Sequence, residues 1–173
     1  MEKLVFRPLK ETEIDVRVQS VTEKGCILLL YKDARCDMNI LDETVGPMNW
    51  KREHTRENAN CIVSLWDEEK DQWVSKEDTG TESNTEKEKG QASDSFKRAC
   101  FNWGIGRELY TSPFIWVKAE DCKIYPIKVN GKDIWKCNDK FFVEAIKYDE
   151  NKNIIALAIK NTASKKRVFL MKP

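Results

Sequence analysis

The order of apolar and polar positions predicts short strands and two helices in the first two thirds of the chain. Residues 25–31 (GCILLLY) are almost continuously apolar, which predicts a buried strand. Apolar residues then recur at helical spacing from Ala34 to Val45, and Gly46 and Pro47 end that pattern. The patterns that follow predict three strands of an antiparallel meander, at residues 48–55, 61–66 and 72–79.

The longest amphipathic stretch precedes Gly104 and predicts the central helix. Its apolar residues fall at i, i+4, i+7, i+8 and i+11 and form one stripe: Ala92, Phe96, Ala99, Cys100 and Trp103. Thr85 and Glu88 have the spacing of a capping box, but Gly90 disfavours helix, so the firm helix begins near Gln91. The opposite side of the same helix carries Asp94, Lys97, Arg98 and Phe101.

After Tyr110 the pattern predicts mostly strands, including a hairpin around Asn130-Gly131. The predicted strands are residues 114–117, 124–129, 132–135, 141–148, 153–160 and 168–171. Residues 11–18 fit either a helical turn or an edge strand. We therefore predict an α+β fold. Residues 1–113 would form a β-β-β-α core (strand, helix, three-stranded antiparallel meander, long helix), and residues 114–173 a β-rich C-terminal extension.

The charges nearly balance but are unevenly distributed along the chain. Thirty basic residues face 29 acidic ones, so the net charge identifies no partner. Residues 67–90 carry nine acidic and four basic side chains, whereas residues 160–172 carry five basic and none acidic. Such separation fits a protein that binds a polyanion on one face, and it also fits many others.

The six cysteines and the single histidine, His54, predict neither catalysis nor a metal site. No two cysteines form a CxxC pair, and a structural zinc site usually contains one. With no signal peptide or apolar run long enough to span a membrane, free cysteines predict a reducing, cytoplasmic location. We expect no catalytic residue, no metal and no cofactor.

The central segment resembles a known family. The run Ser93–Ala99 (SDSFKRA) and then Trp103–Tyr110 (WGIGRELY) resemble the Rad-fifty-two-type single-strand annealing proteins, in particular their bacteriophage and prophage recombination members. The upstream Glu77–Gly80 (EDTG) is similar to the acidic strand end before the same helix in that family. The resemblance extends from about Ile14 to Tyr110.

This resemblance implies a protein that assembles into rings or arcs and anneals DNA without nucleotide hydrolysis in recombination or double-strand break repair. Single-stranded DNA and the annealed duplex would lie in a basic groove around the outside. Lys97 and Arg98 match the basic pair that contacts the DNA backbone, Lys89 matches a further groove residue, and Arg17 matches one across an alignment gap. The chain departs from the eukaryotic pattern at Phe101, where another basic residue is expected. A single-stranded-DNA-binding protein or an exonuclease is an expected partner.

The residues themselves leave alternatives open. By spacing alone, the side of the helix with Lys97 fits a solvated charged face. Phe101 fits either a base-stacking contact or packing against the next subunit. Arg107 fits either a phosphate contact or a tie from the Gly104–Gly106 turn to the acidic strand end. Further basic residues fit either the same groove or solvated surface: Lys51, Arg52, Arg56 and the tail at residues 165–172.

Two other functions remain as hypotheses. A metal-dependent nuclease would use carboxylates at Asp78, Glu82, Glu86 and Glu88, although these predicted loop positions do not favour convergence on one metal. An interaction module would use the β-rich C-terminal segment to recruit another recombination protein.

Overall fold

The protein is mixed α+β with a β-rich body. The computed structural model describes residues 4–81 and 87–173, and for residues 87–89 it describes the backbone alone. The described chain contains helices α1 (Ala34–Val45) and α2 (Lys87–Trp103) and strands β1 (Asp15–Thr22), β2 (Gly25–Tyr31), β3 (Trp50–Thr55), β4 (Asn60–Asp67), β5 (Gln72–Thr79), β6 (Ile115–Lys118), β7 (Ile124–Val129), β8 (Lys132–Cys137), β9 (Phe141–Tyr148), β10 (Ile154–Asn161) and β11 (Arg167–Met171). Thr85 of the predicted capping box lies outside the described residues.

The chain divides into two compact units. The first comprises Met1–Pro8 and Asp33–Arg107, and the second comprises Leu9–Lys32 and Glu108–Pro173. This division differs from the predicted boundary at residue 113. The reason is that β1 and β2 pair with β9 and β6, so an N-terminal hairpin belongs to the same sheet as the C-terminal strands.

The first unit is built on the antiparallel sheet β3-β4-β5, with α2 packed on one of its faces. Residues of the central strand β4 that face the helix, Cys61, Val63 and Leu65, are 0–3% exposed. Helix α1 begins where the Asp33 carboxylate accepts the N–H groups of Arg35 (2.8 Å) and Cys36 (3.0 Å), which satisfies two donors of its first turn. None of the helices in the described part of the chain is long and apolar enough to cross a membrane.

The second unit is a six-stranded sheet in the order β11-β10-β9-β1-β2-β6, with β7 and β8 as a separate two-stranded hairpin. The N-terminal segment combines the two predicted possibilities, since a 3-10 turn at Glu11–Glu13 leads into β1. β1 is an interior strand, so the edge-strand alternative was wrong: it pairs with β2 along its length and with β9 through Asp15 and Val16.

An ion-pair cluster links the three strands at one side of this sheet. The Glu144 carboxylate on β9 lies 2.6 Å from the Lys160 ammonium on β10 and 2.6 Å from the Arg167 guanidinium on β11. The hydrogen bonds from Arg167 and then Lys160 lower the pKa of Glu144 to about 2. This carboxylate is therefore ionised in the folded protein even in moderately acidic solution.

Candidate nucleic-acid interface

Helix α2 is anchored to the sheet by its apolar stripe. Phe96, Ala99 and Cys100 are all 0% exposed, which confirms the predicted buried side of the helix. The Phe96 ring stacks 6.1 Å from the ring of Trp50, and the guanidinium of Arg52 lies 4.8 Å from the Phe96 ring centre. Burying a side chain of this size stabilises a fold by about 1.5–3 kcal/mol, so the helix is held firmly against β3 and β4.

Close backbone contact fixes the helix at the level of Ser95. A Cβ added to Gly80 would lie 2.3 Å from the Ser95 nitrogen and 2.7 Å from the Gln91 carbonyl oxygen. Only glycine fits there, and this explains why a glycine follows the acidic end of β5.

Side-chain hydrogen bonds fix the C-terminal end of the same helix. The Asn102 amide donates to the Glu77 carbonyl (3.0 Å), and the Trp103 indole N–H donates to the Val63 carbonyl (3.0 Å). The helix is therefore tied to two strands of the sheet at its end as well as along its stripe. Side chains on its outer side project from a rigid support.

Lys97 and Arg98 lie on that outer side and are half-exposed. The Arg98 Nε donates to the Asp94 carboxylate at 2.9 Å, and the Arg98 side chain keeps 40% of its surface exposed. The same Asp94 oxygen accepts the Thr81 N–H at 2.9 Å. The predicted grouping of Asp94, Lys97 and Arg98 on one side is thus confirmed, with a net charge of +1 for these three groups.

The charge of Asp94 is stabilised by its neighbours. Burial alone would raise the pKa of its carboxyl group, but the Thr81 N–H and the Arg98 guanidinium outweigh this and hold the pKa below its usual value. Asp94 is therefore ionised at neutral pH. It holds Arg98 in place and at the same time offsets part of its positive charge.

Arg107 caps α2. Its Nε donates to the Phe101 carbonyl (3.0 Å), and its Nη2 donates to the carbonyls of Phe101 (2.7 Å) and Asn102 (3.1 Å). The Lys76 ammonium also donates to the Asn102 carbonyl at 2.7 Å. Both cations satisfy carbonyls at the negative end of the helix. Within the described residues, Arg107 makes these bonds and none to the acidic end of β5, so that alternative was wrong.

The other predicted interface residues are placed less fully. Phe101 lies one turn after Lys97 and is half-buried, so the base-stacking and subunit-packing alternatives both stay predictions. Lys89 belongs to α2, but its side chain lies outside the described residues. Arg17 belongs to the second unit: it is exposed on β1, with its guanidinium 5.5 Å from the ring centre of Tyr31.

Lys51 and Arg52 do not line one groove, contrary to one of the alternatives given above. Neighbouring residues of a strand point to opposite faces of the sheet. Arg52 lies against Phe96 of α2, whereas the Lys51 ammonium lies 4.5 Å from the ring centre of Trp73 on the other face. Arg56 is exposed in the turn after β3, where Arg56, Glu57 and Asn58 all have positive φ.

One pair in this unit has the composition of a nucleophile and its base. The Ser95 hydroxyl lies 3.5 Å from the His54 Nδ1, and burial and then Arg52 hold the pKa of His54 below its usual value. However, Ser95 is 0% exposed and its hydroxyl lies within hydrogen-bonding distance of the carbonyls of Asn58 (3.1 Å) and Ala92 (3.2 Å). A substrate has no access to it, so this pair is part of the packing.

The carboxylates of the nuclease hypothesis are only partly placed. Asp78 accepts the N–H of Thr79 (2.7 Å) and the amide of Asn102 (3.2 Å), so it fixes the end of β5 against α2. Glu82 and Glu86 lie outside the described residues, and so does the side chain of Glu88.

No protein-family model, curated protein or solved structure matches this chain.

Proposed function

We propose that this protein binds and anneals single-stranded DNA in homologous recombination or double-strand break repair, as an oligomeric ring or arc and without nucleotide hydrolysis. The observation that carries the proposal is the division of α2 into two sides: an apolar stripe whose central residues, Phe96, Ala99 and Cys100, are fully buried against the sheet, and the Lys97–Arg98 pair on the outer side. The succession β3, β4, β5 and α2 supports the β-β-β-α core that the family resemblance implies.

Annealing makes two physical demands. The protein must hold phosphates, and it must leave the base edges free to pair with a second strand. Lysine and arginine on a rigid helix meet the first demand because their long side chains reach the backbone, and binding of this kind is sequence-tolerant and strongly salt-dependent. The contacts of Gly80, Asn102 and Trp103 hold in place the helix that carries the two cations.

One copy of this helix would bind DNA weakly. The Lys97–Arg98 pair supplies two positive charges, and Asp94 offsets one of them. Self-assembly would repeat the same pair along one strand, so that many weak contacts act together. Large apolar rings in solvent support such assembly: Tyr110 is 69% exposed and Phe114 is 70% exposed.

The cellular setting follows from the same proposal. A protein of this class would work in the cytoplasm of a bacterial host on strands exposed by an exonuclease or coated by a single-stranded-DNA-binding protein. Its DNA substrates would be an exposed strand and the duplex that annealing produces.

The test is sedimentation velocity of the whole protein with and without a fluorescent oligo-dT, in EDTA and low salt. We expect particles of several subunits, and co-sedimentation of the oligonucleotide that exceeds that of a blunt duplex of equal length. A single-subunit particle that leaves oligo-dT unbound would overturn the proposal.

A further inference from the structure

Three cysteines that are distant in the sequence meet in the second unit. The Sγ atoms of Cys26, Cys122 and Cys137 all lie within 4.8 Å of one another, and all three are free thiols. Cys26 is fully buried, whereas Cys122 and Cys137 are partly exposed. Among the described residues, this is the group of side chains that could together hold a metal ion.

Different elements bring the three thiols together. Cys26 lies on β2, where it pairs with Val21 of β1 and Val117 of β6. Cys122 follows the 3-10 turn Ala119–Asp121, and Cys137 is the last residue of β8. The three thiols therefore lie close together in the fold although no two of them are close in the sequence.

The cluster lies at the base of a hairpin that has no core of its own. None of the twelve residues of β7 and β8, all within the described chain, is buried. An isolated two-stranded hairpin is at best marginally stable in water, so its position depends on the contact of β8 with β1 and on whatever joins its base to the sheet. Cys122 and Cys137 flank the base of this hairpin, while Cys26 belongs to the six-stranded sheet.

We propose that Cys26, Cys122 and Cys137 form a zinc site that fastens the β7–β8 hairpin to the six-stranded sheet. Thiolates are preferred zinc ligands, and a Zn–S distance of about 2.3 Å in tetrahedral geometry places sulfur atoms about 3.8 Å apart. The sulfur separations already satisfy this within a small side-chain adjustment. The site differs from the expectation of no metal, which was based on the absence of a CxxC pair.

Binding exchanges protons for metal. All three side chains are free thiols in the structure, and a thiol must lose its proton before its sulfur can bind zinc. One Zn²⁺ replaces three thiol protons, three protons pass to solvent, and the zinc–thiolate group carries a net charge of −1.

The fourth zinc position would face solvent. A cleft of about 370 Å³ opens beside Cys122 and is also lined by Asp121 and Asp139. Water from this cleft would complete the tetrahedron, as it does in catalytic zinc sites with three protein ligands.

The experiment uses the whole protein, reduced and freed of metal with a chelator, and titrates it with Co²⁺ as a spectroscopic substitute for Zn²⁺. We expect one equivalent to produce thiolate-to-cobalt charge-transfer absorption and tetrahedral ligand-field bands, and Zn²⁺ to displace them. Hydrogen exchange of the β7–β8 amides should slow when Zn²⁺ is added.

Two single variants and a control make the assignment specific. Cys122→Ser and Cys137→Ser should each weaken Co²⁺ binding at least tenfold, whereas Cys36→Ala, which removes a thiol of α1 in the first unit, should leave it unchanged. The proposal is overturned if the protein takes up no Co²⁺, if the serine variants bind it as well as the native protein, or if intact mass shows a disulfide within the cluster under reducing conditions.

This inference does not depend on DNA binding. The cluster belongs to the second unit and the Lys97–Arg98 pair to the first, so either proposal can fail while the other stands.

Discussion

The most informative perturbation is the double substitution of Lys97→Ala and Arg98→Ala. Both side chains are half-exposed, and alanine is the best helix former, so α2 should persist. The Asp94 ion pair is lost, but an i,i+4 pair on a helix contributes only about 0.3–0.5 kcal/mol. Asp94 retains the Thr81 N–H, so the fold should change little while two cations disappear.

The expected effect can be calculated from counterion release. For single strands, each phosphate contact contributes about −0.7 to the slope of log K against log salt concentration. Loss of two contacts per subunit should therefore make the slope shallower by about 1.4. Salt rises fourfold between 50 and 200 mM. Over that range, the fold-loss in affinity of the native protein should be about seven times the fold-loss in affinity of the variant.

The assay is fluorescence anisotropy of a labelled oligo-dT, short enough to contact one subunit, across a salt series. The matched control is Lys128→Ala with Lys132→Ala, which removes the same charge from exposed positions of the β7–β8 hairpin. Its slope should equal that of the native protein. Equal slopes for the α2 variant and the native protein, or an equal loss in the control, would refute the assignment of DNA binding to α2.

Three further outcomes follow from contacts described above. Asp94→Asn should tighten oligo-dT binding several-fold at low salt, because a negative charge is lost while the amide oxygen can still accept the Thr81 N–H. Weaker binding in the same anisotropy assay would contradict this and would show that Asp94 matters more for orienting the Arg98 guanidinium. Gly80→Ala should lower the free energy of unfolding, measured in urea, by about 1–3 kcal/mol, because the new Cβ overlaps the α2 backbone. Gly104→Ala is the comparison: nothing lies within 4 Å of its new Cβ, but its φ of 93° should lower the free energy of unfolding by about 1–2 kcal/mol through backbone strain alone. Equal stability of the Gly80→Ala variant and the native protein would contradict the close contact. Glu144→Gln should flatten the pH dependence of the free energy of unfolding between pH 4.5 and about 2. The pKa of Glu144 is lower in the folded than in the unfolded protein, so its ionised form adds stability above pH 4.5 that is lost as the pH falls. Acid unfolding followed by circular dichroism would contradict this if the variant and the native protein lost the same free energy of unfolding over that range.

Sequence periodicity located α2 but not its start, because the helix begins at Lys87, before the glycine at position 90 that was expected to delay it to Gln91. Its stripe is set by local spacing, and the positions that repeat are the positions buried: Phe96, Ala99 and Cys100. The hairpin β7–β8 was predicted for an equally local reason, since Asn130 and Gly131 both adopt the positive φ that a two-residue turn requires.

Features that depend on distant parts of the chain were not predicted. β1 is interior because β9, more than a hundred residues later, pairs with its first residues, and no local pattern in residues 11–18 contains that information. The contacts of Arg107 were not predicted, because its hydrogen-bond acceptors are backbone carbonyls at the end of α2. Every residue has such a carbonyl, so no sequence pattern indicates which one a side chain will contact. The cysteine cluster was missed because the rule applied to it requires ligands close in sequence.

The central claim is that cations on a fixed helix, repeated by self-assembly, hold a DNA strand while it finds its complement and break no bond. The most direct measurement is the rate at which two complementary labelled oligonucleotides anneal, followed by fluorescence quenching in EDTA without nucleotide. We predict that the native protein accelerates annealing, that the Lys97→Ala, Arg98→Ala variant does not, and that both strands remain full length when Mg²⁺ is added. An annealing rate equal to that without protein, or strands cut in Mg²⁺, would contradict the account.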